Sequence, residues 1–247
     1  MSRWKAAGIH LLISVVIALV IGVLFLKMWY PPPFFSAAGA DELMLLLVGV
    51  DVTLGPLVTL IVFRRGKPGL KFDLAFIGLV QCASLTYGLS VVLQSRPVFL
   101  VAAIDRFTLV SANEIDAKSL NNAANPEFRQ LSWTGPKLVG AQLPKDEKKR
   151  SDLLDSSTTG LDIERLPEFY VPYIEQSQMI LTRAKALDAL RAKHPESGAL
   201  IDEVAAKNHL NAMDIAYLPL VTRKHDLSML FSKTTAMPIQ AIPVDPW

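Results

Sequence analysis

The sequence predicts a membrane protein of two parts: three N-terminal transmembrane helices and a C-terminal α+β domain in the periplasm. Three observations predict it. Residues 1–95 hold three apolar runs, each long enough to cross a bilayer. Basic residues gather at alternate ends of those runs. Residues 96–247 return to the mixture of strand-prone runs, polar helical stretches and charge that folds in water.

The first run, about residues 9–28, is Ile9 to Met28, with no charge before Lys27. At 1.5 Å per residue, roughly 20 residues cross a ~30 Å hydrocarbon core. Trp4 and Trp29–Tyr30 suit the two interfaces. The run is longer than a signal-peptide core, and Pro31–Pro32–Pro33 stands where a small-residue cleavage site belongs, so an uncleaved helix is expected. The second run, about 43–63, is Leu43 to Phe63, interrupted by Asp51 and Gly55–Pro56. The third, about 72–93, is Phe72 to Leu93, with Gln81, Ser84, Thr86 and Tyr87 as its polar points. It is apolar on every side, as lipid contact requires.

Charge sets the orientation. Arg3 and Lys5 precede the first run, and Arg64, Arg65, Lys67 and Lys71 crowd the connection between the second and third. The connection between the first and second carries Asp41 and Glu42 and no basic residue after Lys27. The positive-inside rule then puts the N-terminus and loop 64–71 in the cytoplasm and residues 96–247 outside, which in a bacterium is the periplasm beyond the inner membrane. Residues 1–95 have a net charge of +3 and residues 96–247 one of −1, so the basic excess belongs to the membrane half. No Lys/Arg stripe with interleaved aromatics is present, which argues against nucleic acid. The single cysteine, Cys82, lies in an apolar run and reads as a small hydrophobe. The external domain must therefore stand on core burial alone.

Within that domain, Val98–Ile104 and Phe107–Val110 flank Asp105–Arg106 and predict a hairpin. Asn113 to Gln130 is polar and partly helical. The charge run Lys145–Arg150 reads as a solvated face and Ser156–Gly160 as a loop. Tyr170 to His194 has a helical apolar stripe, and Pro195 opens a further helix over Glu196–Asn208, with Leu200, Ile201 and Val204 inward. Ile215–Val221 and Leu227–Phe231 flank Lys224–His225–Asp226 as a second hairpin, and Ile239–Val244 is a last strand.

The usual catalytic motifs are missing: H-E-x-x-H, G-x-S-x-G, G-x-G-x-x-G and Walker A. His10, His194, His209 and His225 have no partner at metal-ligand spacing and read as surface or cap residues, His10 at a membrane boundary. No cofactor and no metal is expected. Asp51 resists a bland account. A carboxylate ~12 Å inside a span that begins at Leu43 costs about 2.5–3.5 kcal/mol on insertion scales, so it must face protein, water or a partner. Lys27 could pair with it, Gln81 could hydrogen-bond it, or a partner could meet it. Pro56 after Gly55 should kink the span beside it, and such a kink could open a groove for a partner helix. Asp51, Gly55, Pro56, Gln81 and Lys27 are thus the candidate structural or partner-contact residues. An intramembrane aspartyl protease needs a second facing aspartate. Asp73 stands at the wrong edge of its span, and Val48–Asp51 does not make the G-x-G-D pattern.

The chain resembles the type IV pilin accessory proteins of the TfpX/TfpZ family. The resemblance rests on Gly49–Val50–Asp51 with Leu54–Gly55–Pro56–Leu57, on Lys67–Pro68 with Leu70–Lys71–Phe72–Asp73–Leu74, and on Gln81 and Tyr87–Gly88. It continues through Arg96–Pro97–Val98, Asp105–Arg106–Phe107, Tyr217–Leu218–Pro219–Leu220 and Asp245–Pro246–Trp247, and leaves out Ala112 to Leu166. It implies a non-catalytic, chaperone-like inner-membrane factor that assists assembly of a cognate type IV pilin. The partners implied are that pilin, the lipid bilayer and other pilus-assembly proteins. The alternatives are a membrane-anchored periplasmic ligand-binding sensor and, further off, the protease.

Overall fold

A computed structural model describes residues 1–144, 146, 147, 150, 151, 153 and 162–247. The loop expected at Ser156–Gly160, and Lys145, Lys148 and Lys149 of the charge run, lie outside the described residues. The chain divides into two compact units, one of residues 1–35 and 39–95, the other of residues 36–38 and 96–247.

The first unit is built on three long apolar helices. Helix α1 (Arg3–Leu24) is capped by Ser2, whose hydroxyl accepts from the Lys5 amide, and runs on through a π-helical turn at Phe25–Trp29. Helix α2 spans Ala40–Val62 and α3 spans Leu70–Ser95. Each exceeds the predicted span by a few residues at its start, because polar and charged residues such as Asp41 and Glu42 extend a helix into the headgroup layer. The extension moves Asp51. It is the central residue of α2, eleven positions from either end and thus ~16 Å from each, rather than ~12 Å from one.

The second unit carries one mixed sheet of eight strands among the described residues. These are β1 (Pro97–Ala103), β2 (Arg106–Ser111), β3 (Lys137–Ala141), β4 (Tyr170–Pro172), β5 (Lys185–Ala186), β6 (Ile215–Val221), β7 (Leu227–Ser232) and β8 (Pro238–Ile242). The order is β4-β3-β1-β2-β6-β7-β8, with β5 pairing β6. The β1–β3 and β2–β6 pairs are parallel and the rest antiparallel. Strand β1 is buried along its whole length, which explains its unbroken apolar run. One core gathers Phe99, Val101, Val110, Val139 and Tyr170, with Phe128 from the polar stretch after β2, which also holds the short helix α4 (Ala117–Asn121). A second gathers Leu187, Leu190, Ile201, Val204, Ile215 and Leu230.

Both predicted hairpins form. The first turns at Ile104–Asp105 rather than Asp105–Arg106, because Ala103 pairs with Arg106. Ile104 takes the left-handed φ of +56° that this two-residue turn demands. The helix expected over Tyr170–His194 is broken into β4, α5 (Tyr173–Thr182), β5 and α6 (Leu187–Lys193). Lys185 and Ala186 leave the helix to pair with Tyr217 and Ala216 on β6, a long-range choice that local periodicity does not register. The next helix, α7 (Gly198–Lys207), follows a 3₁₀ turn at Pro195–Ser197 and buries Ile201 and Val204 as expected. Strand β3 was not anticipated. At Gly140 a Cβ would run into the Gln176 side chain, so glycine lets α5 lie close on the sheet.

Candidate functional site

Helix α2 is the middle helix of the first unit and packs against both α1 and α3. Without a hydrophobic drive inside lipid, helices associate through close packing at small residues and through polar contacts. Both devices are present. At Gly22 of α1 a Cβ would strike the Met44 side chain, and at Gly88 of α3 it would strike Leu47. At Gly55 of α2 it would overlap the Gln81 amide. Each glycine is the place where one helix makes room for a side chain of the next.

Polar contacts also join the helices. Between α1 and α2, His10 Nδ1 and Thr59 Oγ1 share a hydrogen bond of 2.6 Å, with Thr59 only 2% exposed. His10 is therefore an interhelical residue, not the surface histidine expected. Its place at the edge of the apolar run hid the fact that Thr59, forty-nine positions on, faces it. Between α2 and α3, Gln81 Nε2 lies 3.2 Å from Asp51 Oδ1 and 3.4 Å from the Asp51 carbonyl. One amide group thus holds the backbone and the carboxylate of the same residue. The C-terminal ends of α1 and α3 meet at Tyr30, whose buried hydroxyl donates to the Val92 carbonyl at 3.1 Å.

Of the five candidates, the structure brings together Asp51, Gln81 and Gly55. Pro56 is buried beside Gly55, and α2 stays helical through it. Lys27 is exposed in the π-helical turn. It sits near the end of α1, while Asp51 stands at mid-helix, and of the two neighbours weighed for the carboxylate it is Gln81 that meets it.

Two grooves meet at the Asp51–Gln81 contact. The larger, ~640 Å³, runs between α2 and α3 over Leu47, Val50, Asp51, Phe76, Gln81 and Tyr87. The smaller, ~370 Å³, lies between α1 and α3 and touches Asp51 and Gln81 from the other side, with His10, Ser14 and Thr59. The walls are apolar and the floor is a half-buried carboxylate. Asp73 is not at this floor. It pairs with Lys67 at 2.7 Å in the first turn of α3, eight residues or ~12 Å along the helix from Gln81. Two carboxylates so far apart do not form an aspartyl dyad, which must share one proton at close range. Among the described residues, no group of three or more His, Cys, Asp or Glu is placed to hold a metal.

The family model for fimbrial assembly protein FimB matches residues 1–39, which cover α1 and the turn that follows. The fimbrial assembly protein of Dichelobacter nodosus serogroup I is 31% identical over 96% of this chain and 95% of its own length. That of serogroup E1 is 31% identical over the same shares. The protein of serogroups C1 and C2 is 33% identical over 45% of this chain and 86% of its own length. No solved structure matches the chain. With a full-length match above 30% on both sides, the chain belongs to the fimbrial assembly protein (FimB) family.

Proposed function

We propose that this protein is a non-catalytic accessory factor that assists assembly of a cognate type IV pilin at the bacterial inner membrane, in the manner of the TfpX/TfpZ proteins it resembles. The N-terminus and loop 64–71 lie in the cytoplasm and residues 96–247 in the periplasm. The observation that carries the reading is the end-to-end similarity to fimbrial assembly proteins, which includes the helices and the external domain alike.

The groove supports a physical account. A pilin before polymerisation is a membrane helix carrying an external head. The α2–α3 groove has apolar walls suited to one face of such a helix, and Asp51 supplies an acceptor for one donor on it. Each contact is allowed to be weak, because tethering in one membrane raises effective concentration. A chaperone-like role follows: hold the pilin helix in lipid, then release it.

The test is photocrosslinking in native membranes. A crosslinker at Val50 or Phe76 should capture the pilin, and one at Leu19, exposed on α1, should not. Loss of surface pili on deletion, without capture at the groove, would keep the assembly role and sink the groove as the contact. Normal piliation on deletion would sink both.

A further inference from the structure

Four tryptophans mark this chain, and one of them stands exposed at the point where the chain leaves α3. Arg96 directly follows Ser95, the last residue of α3, and is 6% exposed. Its Nε donates to the Ser132 carbonyl at 3.0 Å, and its guanidinium carbon lies 4.9 Å from the centre of the Trp133 ring. Trp133 itself is 63% exposed. The turn that carries it is anchored on both sides. Leu131 packs on the first core, Ser132 is buried, and Gly135 holds a φ of +76°. The Thr134 amide donates to Ser132 Oγ across the turn. The indole is therefore held outward, over a buried arginine, on a fixed turn.

Tryptophan has a large apolar body and one N–H donor, a combination suited to the headgroup layer and poorly suited to open water. Consecutive Cα atoms are ~3.8 Å apart, so Arg96 stands at the exit of α3, and the ring centre stands no farther from the Arg96 backbone than one arginine side chain plus 4.9 Å. The polar layer on each side of a bilayer is about 5–8 Å thick.

We propose that Trp133 is a lipid-interface anchor of the external domain, its indole seated among the headgroups where α3 leaves the bilayer. The anchor fixes the turn 131–135 at the membrane surface. The inference rests on α3 spanning the membrane, and the control below separates the two.

The experiment uses the full chain in nanodiscs containing lipids brominated just below the glycerol. In one variant Trp133 is the sole tryptophan (Trp4→Phe, Trp29→Phe, Trp247→Phe); in another, Trp29 is. The expected result is a blue-shifted Trp133 emission, quenched roughly twofold or more by the brominated lipid and little by aqueous iodide. Iodide quenching without lipid quenching overturns the proposal, as does protection from both quenchers, which would mean that protein covers the ring. If Trp29 is also untouched by brominated lipid, the spanning reading fails rather than the anchor alone. A second measurement keeps all other tryptophans: a spin label at Trp133→Cys in a Cys82→Ala background should collide more with oxygen than with a water-soluble nickel chelate, and the reverse overturns the proposal.

Discussion

Gln81 fills the space that a side chain on Gly55 would need, and from that place its amide reaches both the carboxylate and the carbonyl of Asp51. The absence of a Cβ and the presence of the hydrogen bonds are one arrangement. It can be tested as one. Interhelical hydrogen bonds in membranes contribute about 0.6 kcal/mol on average, whereas overpacking a close contact costs about 1–3 kcal/mol. The overlapped atoms are the far end of the flexible Gln81 side chain, which can swing aside at the loss of its hydrogen bonds, so the cost falls at the low end of that range. Gly55→Ala is expected to destabilise the native protein by about 1 kcal/mol or less. In a Gln81→Ala background the clash is gone and alanine improves helix propensity by about 1 kcal/mol, so the same substitution should become neutral or stabilising. Unfolding of the detergent-solubilised chain in SDS reads both values. Additive effects would mean that the two residues are not coupled.

Asp51 separates insertion from function. Asp51→Leu removes a mid-membrane charge that costs about 2.5–3.5 kcal/mol on insertion scales, so the variant should accumulate in the membrane at least as well as the native chain. It also removes the acceptor at the floor of both grooves and leaves Gln81 with the backbone carbonyl alone. Surface pili, measured by immunoblot of the sheared fraction, should fall sharply. Asp51→Asn keeps an acceptor for Gln81 and should fall less. Full piliation with Asp51→Leu would remove this residue from the functional account.

Topology follows from the four basic residues of loop 64–71. Alkaline phosphatase fused after Trp247 should be active and fused after Lys67 inactive. The opposite pattern would reverse the orientation of every helix.

Glu164 offers a pH test in the external domain. Burial is the main cause that pushes its carboxyl above the usual 4.5, helped by neighbouring Asp162 and opposed by Arg106 and Arg165. Between 4.5 and the raised value the folded state holds a proton that the unfolded chain has lost, so stability falls as pH rises through that window. Thermal melts of the native chain should thus show a loss from pH 4.5 upward at this site. Glu164→Gln should flatten that slope and be most stabilising, relative to the native chain, at neutral pH. An unchanged slope would mean that the carboxyl is solvated.

The helices and both hairpins were legible because each follows from local pattern: an apolar run of membrane length, or two strand-prone runs around a polar break. What escaped reading depended on distant partners. Lys185–Ala186 sits in a helical stripe and becomes strand because β6 is beside it. Lys137–Ala141 is short, holds a glycine and shows no alternation, yet it is strand because Phe99–Ala102 lies parallel to it. At the site, Asp51 and Gln81 were recognisable as polar residues in apolar runs. That His10 meets Thr59, or that glycines 22, 55 and 88 each admit a named side chain, depends on helix rotation, which near-uniform apolar surfaces do not encode.

Partner choice is expected to reside in the external domain. Helices in lipid discriminate through small-residue packing and a few polar contacts, which separates similar apolar helices poorly. A folded domain presents shaped, polar surface and can reject wrong partners by clash and unpaired charge. The decisive experiment is a chimera between this protein and a relative that serves a different pilin. The boundary matters. The Ala37 carbonyl accepts from Thr222 Oγ1 at 2.9 Å and from the Lys224 amide at 3.0 Å, so residues 36–38 belong with the external domain and should be exchanged with it. A chimera with the relative's residues equivalent to 36–38 and 96–247 should assist the relative's pilin. One that exchanges only 96–247 should show the same preference with lower stability, because the Thr222 and Lys224 contacts meet a foreign loop. If either chimera keeps the original pilin preference, discrimination sits in the helices, and the groove floored by Asp51 and Gln81 is where substitutions should then switch it.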